Sequence, residues 1–311
     1  MTAKQQTIAL IVPCYNEELT IKKVIEDFKK AVPNLLVVIC DNNSTDRTTE
    51  VARKAGALVL HEPTKGKGSA VRRLFREVQA TIYIMVDGDD TYNPKEVQAM
   101  ISALQTEQLD MVIGVRQAPK SAYPVNHNWG NHLFNWILRF FFNSQFKDIF
   151  SGYRVFSHRF VKSFPAMTSG FDIETELSVH ALDLNLPVKE INTSYQTRPE
   201  GSVSKLKTWS DGFLILRRMI FLFKELRPFL FFGIISFFLT SVAFFLSLPL
   251  VFTYIETGLV PRLPTALLCS SLMILSFLSL TCGVILESIK YSRREMKRLH
   301  YLYLSSLNFR L

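Results

Sequence analysis

The sequence predicts an α/β domain built on a largely parallel sheet with helices on both faces, followed by two helices that cross a membrane. Three observations carry this reading. Short β-branched runs alternate with helical patterns over the first 115 residues, two long uncharged apolar runs follow, and the net charge of +9 gathers beside those runs.

Taken in order, the strand candidates are Thr7 to Val12, Leu35 to Cys40, Ala57 to Leu60, Thr81 to Val86 and Asp110 to Val115. Each is a short apolar, β-branched run, as strands buried on both faces require. Between them the 3.6-residue periodicity predicts helices over Glu17 to Lys30, Thr45 to Ala55, Gly68 to Gln79 and Pro94 to Glu107. Ligands of such sheets bind beyond the carboxyl ends of the strands, so the residues just after each strand are the first candidates.

Further on, Pro228 to Ile255 (28 residues) and Leu263 to Leu286 (24 residues) contain no Asp, Glu, Lys or Arg. Each exceeds the roughly 20 helical residues that cross a bilayer core of ~30 Å. Lys205 to Arg227 and Glu287 to Leu311 each hold six basic and two acidic residues, so they carry eight of the nine net positive charges. Only Glu256 and Arg262 are charged in the connecting loop. This asymmetry places both chain ends and the α/β domain on the cytoplasmic side. The polar stretch Met1 to Thr7 does not read as a secretory signal. The expected organisation is 1–208 as the α/β domain, 209–227 as an amphipathic juxtamembrane helix, 228–255 and 263–287 as spans, and 288–311 as a basic cytoplasmic tail. Leu133 to Phe142 is a second candidate for covering the entry of a lipid.

The charge is membrane-flanking and gives no ground for a nucleic-acid partner. The four cysteines show no metal or redox spacing and read as reduced packing residues; the six histidines are scattered and suggest no metal.

The strand ends are polar and acidic: Pro13-Cys14-Tyr15-Asn16-Glu17-Glu18, Asp41-Asn42-Asn43-Ser44-Thr45-Asp46 and Asp87-Gly88-Asp89-Asp90. So many carboxylates on one edge call for a cation or for hydrogen-bond donors among them. Asp87 and Asp89, two apart after an apolar strand, suit Mg2+ or Mn2+ shared with substrate phosphates. Lys65-Gly66-Lys67-Gly68 opens a helix carrying Arg72, Arg73 and Arg76, a place for an anion, although it is neither a P-loop nor a dinucleotide turn.

These texts, with Gly170-Phe171-Asp172-Ile173-Glu174-Thr175-Glu176-Leu177 and Arg198-Pro199-Glu200-Gly201-Ser202-Val203-Ser204-Lys205, resemble the family 2 glycosyltransferases of GT-A (Rossmann-like) fold. The narrower resemblance is to polyprenyl-phosphate glycosyltransferases, which include dolichol-phosphate mannose synthase and bacterial undecaprenyl-phosphate glucosyltransferases. It implies a nucleotide-sugar site bordered by Pro13, Tyr15, Glu17, Asp41, Lys67 and Asp87, with the metal on Asp89 beside Asp87. It further implies phosphate contacts from Arg116, Arg198, Ser202 and Lys205, and an active-site carboxylate at Asp148 in Lys147-Asp148-Ile149-Phe150-Ser151-Gly152-Tyr153-Arg154. Three departures stand out: Asp41-Asn42 where many relatives carry two Asp, Thr91 where dolichol-type enzymes carry Gln, and no Arg or Lys between Ser121 and Leu138.

The implied activity is inverting transfer of a hexose or N-acetylhexosamine, from a UDP-sugar in the first instance, to undecaprenyl phosphate at the cytoplasmic face of a bacterial inner membrane. The product would be a lipid-linked donor for cell-surface glycan modification, and relatives suggest a homotetramer. Asp148 is expected to position or stabilise charge, because a phosphate monoester with a second pKa of about 6 is already ionised at neutral pH. The other readings are a glycosyltransferase extending a polysaccharide or lipid, a sugar nucleotidyltransferase and a non-enzymatic membrane adaptor. No QxxRW motif supports the first, Pro13-Cys14-Tyr15-Asn16 replaces the Gly-rich turn of the second, and the retained Asp87 and Asp89 speak against the last.

Overall fold

The computed structural model describes residues 7–117, 146–167, 173–196, 220–221 and 223–309. The segments Leu133 to Phe142, most of 209–227, and Arg198, Ser202 and Lys205 lie outside the described residues. The chain divides into an α/β unit, Met1–Val203 with Lys297–Leu311, and an apolar unit, Ser204–Met296.

The α/β unit runs β1 (Ile8–Cys14), α1 (Ile21–Ala31), β2 (Leu36–Asp41), α2 (Thr48–Lys54), β3 (Leu58–His61), α3 (Lys67–Glu77), β4 (Ile82–Met85), a 3-10 turn (Pro94–Glu96) and α4 (Val97–Thr106). It continues with β5 (Met111–Gln117), β6 (Arg154–Ser157), α5 (His158–Ser163), α6 (Ile173–Asp183) and β7 (Val188–Ser194). All five strands expected from sequence form, each within one residue of its expected ends except at the carboxyl ends of β1 and β5, which run two residues further, to Cys14 and Gln117. Helix α1 starts at Ile21 instead of Glu17, because Glu17 to Thr20 make a turn whose carbonyl at Glu17 takes the Thr20 and Ile21 amides.

The seven strands lie in the order β3-β2-β1-β4-β6-β5-β7. Strands β1 to β4 are mutually parallel where they pair, β6 runs antiparallel to both β4 and β5, and β7 is parallel to β5. The chain leaves β1 toward β2 on one side and returns to β4 on the other, so a crevice opens between the carboxyl ends of β1 and β4. Alternation along β1 divides the core: Leu10 and Val12 join Ile21, Val24, Ile25, Phe28, Met100 and Leu104 on one face. Ala9 and Ile11 join Val71, Leu74, Phe75, Phe160 and Leu177 on the other.

The apolar unit contributes α7 (Pro228–Thr257) and the first part of α8 (Leu263–Phe309). Both helices are long and apolar enough to cross a membrane, and their side chains are largely exposed. Small polar residues join them: Ser276 Oγ lies 2.8 Å from Ser236 Oγ and 2.7 Å from Thr240 Oγ1, and Ser279 Oγ donates to the Phe232 carbonyl at 3.0 Å. Contacts of this kind are what joins helices that pack within a membrane, where lipid supplies no hydrophobic drive. The segment 288–311, expected as a basic tail, continues α8 as helix to Phe309, and its residues from Lys297 belong to the α/β unit.

Candidate functional site

The β1–β4 crevice is assembled by backbone ties between loops. Thr20 Oγ1 donates to the Gly88 carbonyl at 2.6 Å, anchoring the Asp87–Asp89 turn to the start of α1. The Glu17 amide donates to Thr48 Oγ1 at 2.8 Å and the Asn16 amide to Ser44 Oγ at 2.9 Å, joining the loop after β1 to the loop after β2. Pro13 pairs with Cys40 inside the sheet, and Tyr15 stands half-exposed at its rim.

Several carboxylates that the sequence gathers on this edge are balanced by the protein itself. Asp41, nearly buried, accepts from the Ser44 amide at 3.3 Å and lies 3.2 Å from His61 Nδ1. Asp46 accepts from Thr48, Glu18 from the Arg47 amide, and Asp90 pairs with Lys23 at 2.7 Å. The metal expectation therefore narrows to Asp87 and Asp89.

Asp89 is buried, and its Oδ1 accepts from Thr91 Oγ1 at 2.6 Å. The departure at Thr91 thus fixes the orientation of this carboxylate. Asp87 remains more open, with its Oδ1 2.5 Å from Lys67 Nζ. Lys67 also pairs with Glu174, on the first turn of α6. Burial alone would lower the lysine pKa, but the two carboxylates outweigh it and hold the ammonium above its ordinary range.

The Lys67 backbone is placed by its predecessor. Gly66 has φ +126°, which side chains disfavour, and its amide donates to Asn42 Oδ1 at 2.7 Å. Asn42 Nδ2 in turn donates to the carbonyls of Glu62 (3.0 Å) and Thr64 (2.7 Å). An aspartate could not donate those two bonds, which accounts for the Asp41-Asn42 departure.

A second cluster sits beyond β5. Asp148 takes a bidentate contact from Arg116, Nε to Oδ2 and Nη2 to Oδ1 both at 2.8 Å, with the Arg116 amide at 3.2 Å. Burial opposes the Arg116 charge, yet Asp148 raises its pKa above the ordinary arginine value. The guanidinium also lies 5.6 Å over the Tyr195 ring. The two clusters meet through Gly152. Its amide donates to the Tyr92 hydroxyl at 2.9 Å, and a Cβ built on it would fall 2.6 Å from Asp87 Oδ2.

The structure thus brings Glu17, Lys67, Asp87, Asp89, Arg116 and Asp148 to one edge, with Pro13, Tyr15 and Asp41 at its border. Among the described residues no group of three or more His, Cys, Asp or Glu forms a ready metal cage. Glu174, Tyr92 and Arg154 belong to the arrangement although sequence reasoning gave none of them a role. Glu174 and Arg154 stood inside quoted motifs, but only the fold turns them toward Lys67 and the Asp148 loop.

Comparison with known proteins agrees with this architecture. Residues 9–166 match the model of glycosyl transferase family 2. The chain is 32% identical over 301 residues to glycosyltransferase AglJ of Haloferax volcanii, covering 95% of this chain and 98% of that protein. It is 26% identical over 214 residues to a dolichyl-phosphate hexose transferase of the same organism, covering 68% and 92% respectively. A structure of Mycobacterium tuberculosis glucosyl-3-phosphoglycerate synthase with Mn2+ and UDP-glucose superposes with a TM-score of 0.56. That pair shares 21% identity over 70% of this chain and 77% of the other, a likeness of fold.

Proposed function

Since the chain belongs to glycosyl transferase family 2, we propose that it transfers a hexose or N-acetylhexosamine with inversion from a nucleotide sugar, UDP-linked in the first instance, to a polyprenyl phosphate at the cytoplasmic membrane face. The observation that carries the reading is the alignment on one sheet edge of an Asp87–Asp89 pair and the Lys67 ammonium at the β1–β4 crevice with the Arg116–Asp148 pair beyond β5, in a chain that also has two helices fit to cross a bilayer. The dolichyl-phosphate named for one relative and the UDP-glucose of one structural neighbour support the acceptor and donor classes.

Asp89 and Asp87 offer hard oxygen donors without closing a cage, which fits a Mg2+ or Mn2+ completed by diphosphate oxygens. When bound, that ion would neutralise charge gathering on the leaving nucleoside diphosphate. Tyr15, Glu17, Asp41 and Pro13 would border the nucleoside. Lys67, held charged and aimed at Asp87, adds a fixed positive group beside the diphosphate. Arg116 presents a guanidinium whose direction Asp148 sets, suited to a phosphate of donor or lipid. The acceptor phosphate is an anion already and needs no strong base, so Asp148 acts by holding Arg116. Arg198, Ser202 and Lys205 are proposed as further phosphate contacts.

The test is release of labelled nucleoside diphosphate by purified protein in detergent, across UDP- and GDP-sugars with Mg2+ or Mn2+, with and without undecaprenyl phosphate. Turnover that requires the polyprenyl phosphate, and is lost on chelation and in Asp87→Ala with Asp89→Ala, is expected. Turnover onto a polysaccharide primer alone would favour chain extension. Absence of turnover with unaltered sugar-nucleotide binding in the double variant would favour an adaptor.

A further inference from the structure

Arg154 is fully buried in β6, opposite Met85 on one side and Ile113 on the other. Its guanidinium makes no ion pair among the described residues. Instead Nε donates to the Ser151 carbonyl at 2.9 Å, Nη2 to the Ile149 carbonyl at 2.5 Å and Nη1 to Ser178 Oγ at 3.0 Å, with Met111 Sδ 3.5 Å from Nη1. A dry guanidinium held by neutral oxygens is costly to bury, and burial pulls its pKa down to about 10. A leucine would fill much of this space without that cost. The charge is retained for its planar fork, which grips two carbonyls of one loop and a hydroxyl of α6 together.

That loop, Asp148 to Tyr153, separates the two clusters of the site. Asp148 orients Arg116 at one end, and Gly152 lies against the Asp87 carboxylate at the other. Between them Ser151 Oγ donates to the Gly114 carbonyl at 2.5 Å, and the Lys147 and Asp148 amides donate to Glu190 Oε1 at 2.7 and 3.2 Å. Ser178 also donates to the Glu174 carbonyl at 3.0 Å, so the same helix turn carries the carboxylate that meets Lys67. We infer that Arg154 is a positioning residue: it locks the 148–153 loop as a rigid spacer that sets the distance between the Asp87–Lys67 and Asp148–Arg116 pairs, and thereby between the donor's diphosphate and the acceptor's phosphate. The inference deepens the glycosyl-transfer reading and rests on it.

The experiment compares the native chain with Arg154→Lys, which keeps the charge and loses the fork, and with Ser178→Ala, which removes one acceptor. Arg159→Gln, which alters an ion pair with Asp110 outside the site, serves as a control for lost stability. Turnover, KM for the nucleotide sugar, Tm and hydrogen exchange of the 146–153 peptide are measured for each. Arg154→Lys is expected to exchange faster over 146–153 and to lose about tenfold or more in kcat while KM changes less than about threefold, the mark of misplaced reactants. Ser178→Ala should shift in the same direction by less. Native exchange and kcat in Arg154→Lys overturn the inference, as does an equal kcat loss in Arg159→Gln at matched Tm. If Arg154→Lys does not fold, native behaviour of Ser178→Ala overturns it. Inactivity of the native chain with every donor and acceptor would sink the functional reading instead, while the exchange data would still decide the role of Arg154 in fixing the loop.

Discussion

Single side chains in this protein are informative where burial removes their alternatives. Asp148 and Arg116 share two parallel hydrogen bonds in a partly dry setting, so each is the other's main partner. Asp148→Asn keeps the shape, weakens the clamp and is expected to lower turnover while nucleotide binding stays nearly native. In a double-mutant cycle with Arg116→Lys, the effects on activity should be non-additive by about 1–3 kcal/mol, as for residues acting as a unit. Additive losses would mean that the two serve the reaction separately. His180 offers a second test, in stability. It is packed edge-on against Phe160 and Phe164, with Nε2 3.2 Å from Ser163 Oγ and Nδ1 buried without a partner among the described residues. Burial, with Lys297 adding to it, depresses its pKa from 6.5 to about 3. The unfolded chain therefore binds this proton first as pH falls. The stability is fully present above pH 6.5 and drains away toward pH 3, by about 1 kcal/mol between pH 6.5 and 5.5. His180→Gln should remove that part of the slope in unfolding curves measured across this range.

At the level of elements, the loop after β3 shows how a strand end is made into a binding edge. Asn42 donates to two carbonyls and accepts one amide of the 62–66 segment, and α3 begins at Lys67 immediately after it. Asn42→Asp would turn two hydrogen bonds into repulsions at a nearly buried position. A loss of about 2 kcal/mol or more is expected, seen as a lower unfolding midpoint together with weaker nucleotide affinity as Lys67 moves. Unchanged affinity would separate the loop from the site. The same element shows what was legible in the sequence. Strands β1 to β5 and their intervening helices could be read because each strand is a continuous apolar run and each helix keeps its period. Strands β6 and β7 were not: Arg154–Ser157 is only four residues with a cation at its start, and Val188–Ser194 alternates as an edge strand with charges among its apolar residues. The site divided along the same line. Asp87, Asp89, Lys67 and Asp41 follow recognisable strand ends, whereas Glu174 and Arg154 reach the site from later elements whose direction only long-range pairing decides. The acidic edge was legible as a cluster, but not the pairing of Lys67 with Asp87 or of Lys23 with Asp90, nor the backbone amides that neutralise the rest.

Over the whole molecule, the surprising continuity is that of α8, a single helix of 47 residues. It starts with an apolar stretch fit for a bilayer, and its last turns pack as part of the α/β unit. There Tyr301 donates to Asp110 Oδ2 at 2.7 Å, Arg298 Nη1 donates to the Leu184 carbonyl at 3.4 Å, and Lys297 Nζ lies 3.4 Å from Asp183. Asp110 is completely buried and also accepts from Ser157 Oγ at 2.7 Å and Arg159 Nε at 2.5 Å, so the tyrosine completes the hydrogen bonding of a dry carboxylate. The Arg159 guanidinium lies 5.5 Å over the Tyr301 ring, giving the contact a second component. This docking surface adjoins β5 at its amino end, whereas Arg116 stands at the carboxyl end of the same strand. Tyr301→Phe leaves one oxygen of Asp110 short of its donor and should cost about 1–2 kcal/mol of α/β-unit stability, with turnover measured below the unfolding range unchanged. Ending the chain after Met296 removes all three contacts and should lower the unfolding temperature further and speed proteolysis of that unit, while both apolar helices remain. If the truncated chain unfolds at the native temperature in detergent, the last turns of α8 are a passenger on the α/β unit. If Tyr301→Phe lowers turnover without lowering stability, the helix end is coupled to catalysis through β5, whose carboxyl end carries Arg116.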